Sequence, residues 1–320
     1  MATAIKIIGG ILAILVVVAI GFWLYLRAPD LPRETVVAKY SRPNSHFVAL
    51  PGGVQLHYLE SGPANAPPLL LIHGFGDNSF SWDGWTKVLA KNHRVIAIDL
   101  PGHGLTTSPI DFPASADHYA DLVDAFAGAI GLKSFAVAGN SMGGGVSWQL
   151  ALRHPARVSA LILVDAAGWP TQSLNKNPPL AFRVMQYKLG RDLLASIDNL
   201  PLIREGLKKD VVDQSVLTEP FIQRWADVQR MPGHRQILMS LRPGSLAASK
   251  ETLAAIKAPT LILWGRQDQL IEVGAAYRFA DAIPGSKMII YPDAGHLLMV
   301  DQPDRSALDV ATFLAAHTEH

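Results

Sequence analysis

The tightest constraint on this chain is a rhythm: short runs that are apolar throughout, separated by segments of helix length. Pro68-Leu69-Leu70-Leu71-Ile72 is the first run, and residues 95–98, 135–138 and 160–164 repeat it. A strand buried on one face alternates apolar and polar residues, whereas a strand covered on both faces is apolar along its whole length. Residues 82–90, 116–130 and 142–154 lie between or after the runs and are long enough for crossover helices. Strand, helix, strand, helix predicts a mostly parallel sheet with helices on its faces. Ahead of it, residues 47–50 and 54–58 alternate and are joined by Pro51-Gly52-Gly53, which reads as a hairpin.

The rhythm stops at Trp169 and resumes only after Lys257, with apolar runs at 260–264 and 287–291 and a last helix over 305–316. The intervening stretch has helical periodicity, breaks marked by Pro201, Pro220 and Pro232, and no strand pattern. The expected class is therefore α/β: a mostly parallel eight-stranded sheet with a helical cap inserted between strands six and seven. Core is expected over 45–168 and 258–320, and cap over 169–257. In open α/β sheets ligands bind at the carboxyl ends of the strands, the edge such an insertion covers.

Ile7 to Leu26 is a run of 20 residues without a charge, flanked by Lys6 and Arg27. As a helix it would be about 30 Å long, the thickness of a bilayer's hydrocarbon core. Trp23 and Tyr25 sit near its end, where amphipathic rings favour the headgroup region. A cleaved signal peptide fits less well, because Leu26-Arg27-Ala28-Pro29 is a poor cleavage site; a core helix would show amphipathic periodicity. Residues 1–28 are thus expected to be a transmembrane anchor and 29–44, polar and Pro-containing, a tether. Arg27, Arg33, Lys39 and Arg42 on the far flank lean toward a cytoplasmic catalytic domain. Elsewhere composition mainly excludes. Apolar residues at 49% and charged ones at 17% rule out a solvated disordered chain, and a net charge of +1 gives no reason to expect nucleic acid as partner. The absence of cysteine removes disulfides, thiolate metal sites and a cysteine nucleophile.

The sharpest chemical signal is Gly139-Asn140-Ser141-Met142-Gly143, placed directly after the 135–138 run and opening a helix. G-x-S-x-G needs glycines at both flanks because the turn leaves no room for side chains, and it exposes a strained serine above the sheet. The helix start behind it supplies positive potential and the Met142 N–H. A serine hydroxyl is a weak nucleophile and needs a base, which in turn needs an orienting acid. Of the histidines, His296 stands just after the last strand and before the last helix. By contrast His57 lies within a strand, His93 starts one, His154 ends a helix, and His317 and His320 belong to the tail. Asp268, in the loop after the 260–264 strand, is the preferred acid; Asp165, after the sixth strand, competes, and Asp293 more naturally closes a turn. The order Ser141, Asp268, His296 is the one expected when the nucleophile sits on a middle strand.

Over residues 46–316 the chain resembles the α/β-hydrolase fold superfamily. The resemblance rests on His73-Gly74-Phe75-Gly76, Asp99-Leu100-Pro101-Gly102-His103-Gly104, the Ser141 elbow, Asp268 and Gly295-His296. It implies a second oxyanion N–H from Phe75 beside that of Met142, with His73 and the 99–104 loop shaping the pocket. A serine rather than an aspartate at the elbow departs from haloalkane dehalogenases and epoxide hydrolases. The Gly-Asn-Ser-Met-Gly-Gly string is similar to that of membrane-associated bacterial lipases, monoacylglycerol-lipase-like enzymes and meta-cleavage-product C–C hydrolases. The last group usually carries a longer Ser/Gly-rich loop after His-Gly, where this chain has Phe75-Gly76-Asp77-Asn78. The expectation is a membrane-anchored serine esterase or lipase acting on a small-molecule ester or lipid, with a C–C hydrolase or a non-catalytic membrane-bound scaffold as alternatives. Oligomeric state is left open.

Other patterns carry less. Gly74-Phe75-Gly76 with Ser79 and Asp99 is a near-miss of the dinucleotide fingerprint, lacking its third glycine. No Walker lysine follows a Gly-rich loop, no H-E-x-x-H occurs, and His317-x-x-His320 lies in the tail, so neither cofactor nor metal is expected. Trp82 and Trp85 are candidates for the pocket mouth. Leu180, Phe182, Val184, Met185, Tyr187 and Leu189 are candidates for an acyl-chain wall, with ordinary cap packing as the alternative.

Overall fold

The computed structural model describes residues 2–170, 180–241 and 247–317. Eight strands form one sheet: β1 (Ser45–Leu50), β2 (Val54–Ser61), β3 (Pro68–Ile72), β4 (Arg94–Ile98), β5 (Phe135–Asn140), β6 (Val158–Val164), β7 (Thr260–Gly265) and β8 (Lys287–Tyr291). Their order is β1-β2-β4-β3-β5-β6-β7-β8. The hairpin β1–β2 is antiparallel, β2 pairs antiparallel with β4, and every later pairing is parallel.

The continuous apolar runs have a direct physical cause. Leu70 and Ile72 point with Ile96, Ile98 and Val137 into one core, while Leu69 and Leu71 point with Val95, Ala97, Ala136 and Ala138 into the other. Successive side chains face opposite sides of a strand, so a sheet with a core on each face leaves no position for a polar residue. Tyr119, Val123 and Phe126 from the helix Ala116–Ala129 close the first core, with Val146 and Leu150 from Met142–Arg153. Trp85 and Leu89 from Asp83–Leu89 close the second, with Val310 and Leu314 from Pro303–Ala315.

The chain steps from β3 to β4 on one side, then crosses back to place β5 on the other side of β3. That reversal opens a crevice at the carboxyl ends of β3 and β5, where neighbouring loops diverge. Between β6 and β7 the described residues contain no strand; the longer helices there are Leu200–Asp210 and Glu219–Gln229. The stretches 171–179 and 242–246 of the expected cap lie outside the described residues.

At the N-terminus a helix runs over Ala2–Leu26, and its Lys6–Leu26 part is long and apolar enough to cross a membrane, with none of it buried against the rest of the chain. Its end is fastened to the cap, where Asp198 N donates to Leu26 O (3.0 Å) and Trp23 Nε1 to Ser196 Oγ (3.0 Å). The polar stretch 29–44 is not an extended strap. Arg33–Tyr40 is helical and buries Val36, and Lys39 Nζ and Tyr40 OH both donate to Asp227 Oδ2 at 2.7 Å. Composition conceals this docking, because it depends on a few apolar side chains, Val36 with Leu31, Val37 and Tyr40 beside it, and on an acceptor nearly two hundred residues away.

Candidate active site

β5 runs directly into Ser141, which stands at φ +53°, ψ −118° ahead of the helix Met142–Arg153. A non-glycine residue there carries about 1–3 kcal/mol of strain and persists only where its surroundings fix it. Ser141 N donates to Val164 O (3.0 Å), and its carbonyl accepts from Gly145 N (3.0 Å) and Ala167 N (2.9 Å). The flanking glycines are required sterically: a Cβ on Gly139 would lie 2.1 Å from Gly143 O, and one on Gly143 would lie 2.2 Å from Ile72 O. Met142 opens the helix, so its N–H has no intrahelical acceptor.

His296 and Asp268 are brought together from the loops after β8 and β7, with His296 Nδ1 2.7 Å from Asp268 Oδ2. The other carboxylate oxygen accepts from Leu270 N (2.8 Å) and Ile271 N (2.9 Å), which fixes the plane of the acid. Asn140 Nδ2 donates to His296 O (2.9 Å), tying the histidine loop to the elbow. Ser141, Asp268 and His296 are all buried, and Ser141 and His296 line one cavity.

Asp165 occupies the competing position and does a different job. It sits at φ +45° at the end of β6. Its Oδ1 accepts from Gly265 N (2.8 Å), and its buried Oδ2 has no hydrogen-bond partner among the described residues. Burial and the nearby charge of Asp268 hold its carboxyl well above the usual range. Burial alone would lower the His296 imidazole, but the negative charges of Asp268, which also hydrogen-bonds it, and of Asp210 raise it to about 9. Asp293 is exposed in the turn after β8.

β3 delivers His73-Gly74-Phe75-Gly76 to the same crevice, and Phe75 lines the cavity beside Ser141. Neither the Phe75 nor the Met142 amide donates to a backbone carbonyl among the described residues. His73 is a brace: its Nε2 accepts from Leu100 N (3.1 Å), its Nδ1 donates to Gly74 O (2.7 Å), and burial keeps it neutral. Asp99 accepts from Ser79 N (2.7 Å) and Leu105 N (2.8 Å) and pairs with His57 Nδ1 (2.7 Å), locking the 99–104 loop.

Several positions that sequence patterns do not reveal hold the site to the cap. Gln229 Nε2 donates to Gly76 O (2.9 Å). Asp301 accepts from Val212 N, Asp213 N and Gly295 N, and Asp210 O accepts from Leu297 N (2.9 Å). The cavity between cap and core measures about 180 Å³. From the cap, Phe182, Met185, Leu202, Ile203 and Trp225 form an apolar wall. Of the expected acyl-chain residues only Phe182 and Met185 face it; Leu180, Val184, Tyr187 and Leu189 line a separate outer groove. Trp82 and Trp85 are not at the mouth: both are fully buried, packed at 4.9 Å between ring centroids, with Trp85 Nε1 donating to Ser306 Oγ. Among the described residues no group of three or more His, Asp or Glu side chains could hold a metal, and His320 lies outside them.

This geometry has relatives. A family model described as alpha/beta hydrolase fold matches residues 67–303. The chain is 30% identical to monoacylglycerol lipase abhd6-A of Xenopus laevis, over 83% of this chain and 80% of that protein. It is 28% identical to a 2-hydroxy-6-oxo-6-(2'-aminophenyl)hexa-2,4-dienoic acid hydrolase of Metapseudomonas resinovorans, over 84% and 90%. Among solved structures, a membrane phospholipase A described as a bacterial virulence factor superposes with a TM-score of 0.75 at 27% identity, covering 98% of this chain and 99% of that one. The meta-cleavage product hydrolase CumD of Pseudomonas fluorescens superposes with a TM-score of 0.72 at 26% identity, covering 85% and 97%. The sheet order, the elbow at the end of β5 and these likenesses together show that the chain belongs to the alpha/beta hydrolase fold family and support hydrolase activity.

Proposed function

We propose that this protein is a membrane-anchored serine hydrolase of carboxylic esters with an apolar acyl or alcohol part. The observation that carries the reading is the strained Ser141 sharing an apolar cavity with His296, whose far nitrogen is 2.7 Å from Asp268. Ser141 Oγ attacks the ester carbonyl as His296 Nε2 takes its proton. Asp268 holds the ring in that tautomer and stabilises the imidazolium. The Phe75 and Met142 amides receive the oxyanion. The tetrahedral adduct then expels the alcohol, protonated by His296, and leaves an acyl-serine. A water deprotonated by His296 adds to that carbonyl, and collapse returns Ser141 Oγ–H and the carboxylic acid. No group beyond these side chains and water enters the balance. The 7–26 segment anchors the domain to the bilayer, with Arg27, Arg33, Lys39 and Arg42 favouring the cytoplasmic face.

A C–C hydrolase using the same residues is the second reading, supported by the dienoic acid hydrolase relative. Against it, the charged side chains on the cavity wall are Asp77, Asp210 and His296, with no Lys or Arg among the described residues to meet a substrate carboxylate. A non-catalytic scaffold would have no use for a strained serine. The test is to treat the full chain in detergent with a fluorophosphonate probe and locate the adduct by peptide mass spectrometry. Labelling at Ser141, lost in Ser141→Ala, is expected, together with turnover of a simple ester but not of a coloured ring-cleavage product. A folded protein that resists the probe would move the scaffold reading ahead.

A further inference from the structure

Two ionisable groups on the cavity wall, Asp77 and Asp210, are not used by the mechanism above, and Asp210 is the one fastened to the histidine loop. Asp210 is the last residue of the cap helix Leu200–Asp210 and lines the cavity beside the histidine loop. Its backbone is locked onto the histidine loop. Its carbonyl accepts from Leu297 N at 2.9 Å, and a Cβ on Gly295 would come within 2.6 Å of that same oxygen. Its carboxyl has no hydrogen-bond partner among the described residues, yet its charge reaches His296. Burial, with the charge of Asp268, lifts it to about 6, so it is an anion at neutral pH. Asp210 is half-buried, and its carboxylate, with no protein donor among the described residues, is open to one that a ligand supplies.

The chemistry decides which part of a substrate would meet it. His296 must hand its proton to the departing alcohol oxygen, so the alcohol part lies against His296 and within reach of the cap residue fastened beside it. The acyl chain has the apolar wall of Phe182, Met185, Leu202 and Ile203. We infer that Asp210 is the specificity residue for the alcohol side of the substrate: it accepts a hydrogen bond from a free hydroxyl of the leaving alcohol and repels anionic substituents there. Asp77, the other acid on the wall, accepts from Asn78 N and Ser81 Oγ through Oδ1 and leaves its buried Oδ2 without a partner among the described residues; burial pushes it up to about 7, so it carries less of the negative charge than Asp210. The inference rests on the ester-hydrolase reading and narrows it to neutral, hydroxyl-bearing alcohols such as a glycerol moiety, excluding a phosphate at that end.

The test compares three esters of one acyl chain, monooleoylglycerol, methyl oleate and lysophosphatidic acid, with the full-length wild type, Asp210→Leu and Asp210→Asn in mixed micelles. Fluorophosphonate labelling at Ser141 reports that each variant is folded. In the wild type kcat/KM should favour monooleoylglycerol over methyl oleate by about tenfold or more, because a site built to bond a hydroxyl rejects an ester lacking it. Asp210→Leu should erase that ratio. Asp210→Asn, which keeps an acceptor but loses the charge, should retain part of it and gain turnover of lysophosphatidic acid. A ratio that is the same in all three labelled proteins overturns the role of Asp210 and leaves the ester reading standing. Failure of the wild type to hydrolyse any of the three would remove the ester reading, and this inference with it.

Discussion

Two acidic residues, Asp165 and Asp268, end adjacent strands and compete for one imidazole, and local hydrogen bonding separates them. Asp268 accepts from two backbone N–H groups and pairs with the His296 ring, whereas Asp165 is buried with a single N–H donor and is held well above the usual carboxyl range. Asp268→Asn should therefore lower kcat by roughly ten-thousandfold, through the wrong imidazole tautomer. Asp165→Asn should be mild, because an amide matches the carboxyl in shape and can still accept from Gly265 N. The pH profile adds an independent check. His296 accepts the serine proton only when unprotonated, and Asp268 and Asp210 raise it to about 9 against burial. In the wild type kcat/KM for an uncharged ester should climb as pH rises toward 9, and Asp165→Asn, which removes a lesser contributor to that shift, should move the limb only slightly to lower pH. A flat profile from pH 6 upward, or a dead Asp165→Asn beside an active Asp268→Asn, would refute the acid assignment.

Among the elements, the cap is joined to the catalytic loops through a few polar contacts as well as through the apolar packing of Leu207, Val211 and Trp225 in one core with Leu297 and Leu298. Asp301, on the short helix Leu298–Asp301, gathers three backbone N–H groups, two from the cap at 212–213 and one from Gly295, next to His296. Removing the carboxylate strands all three donors, at about 1–3 kcal/mol for each that water does not reach. Asp301→Ala should lower the melting temperature and also kcat, since the segment carrying His296 loses its anchor; Asp301→Asn should fall between. A variant melting with the wild type would show that the cap is held elsewhere, for instance through Gln229 and Gly76. The same logic explains why the helix Arg33–Tyr40 escapes a reading of composition: a few apolar side chains around Val36 and one distant aspartate fix it.

For the molecule as a whole, the hydrogen bonds between the apolar N-terminal helix and the catalytic domain, among the described residues, lie where the helix ends, at Ser196 and Asp198 of the cap, and the Lys6–Leu26 part is unburied. Deleting residues 1–28 should leave a soluble, folded domain that still hydrolyses a short water-soluble ester but no longer sediments with phospholipid vesicles. Aggregation of the truncated domain, or undiminished vesicle binding, would speak against an anchor that is separable from the fold. Arg235, which holds Ala28 O and Asp30, keeps its ion pair with Asp30 in that truncation.

Much of this architecture is local and so legible in the amino-acid order alone. A run such as Leu69–Ile72 needs a core on both faces wherever it lies, and Gly139 and Gly143 around Ser141 state a turn too tight for side chains. The resulting strand–helix order, the eight-stranded sheet and the placing of Ser141 and His296 at strand ends follow from period and punctuation. Tertiary structure decided what depends on proximity between distant segments. The bond from Asp268 rather than Asp165 to His296, the retreat of Trp82 and Trp85 into the core, and the arrival of Asp210 and Gln229 over the crevice are all of this kind. A charge's role is set by the dielectric and the donors around it, and part of that surrounding comes from distant segments, as Gly265 N does for Asp165.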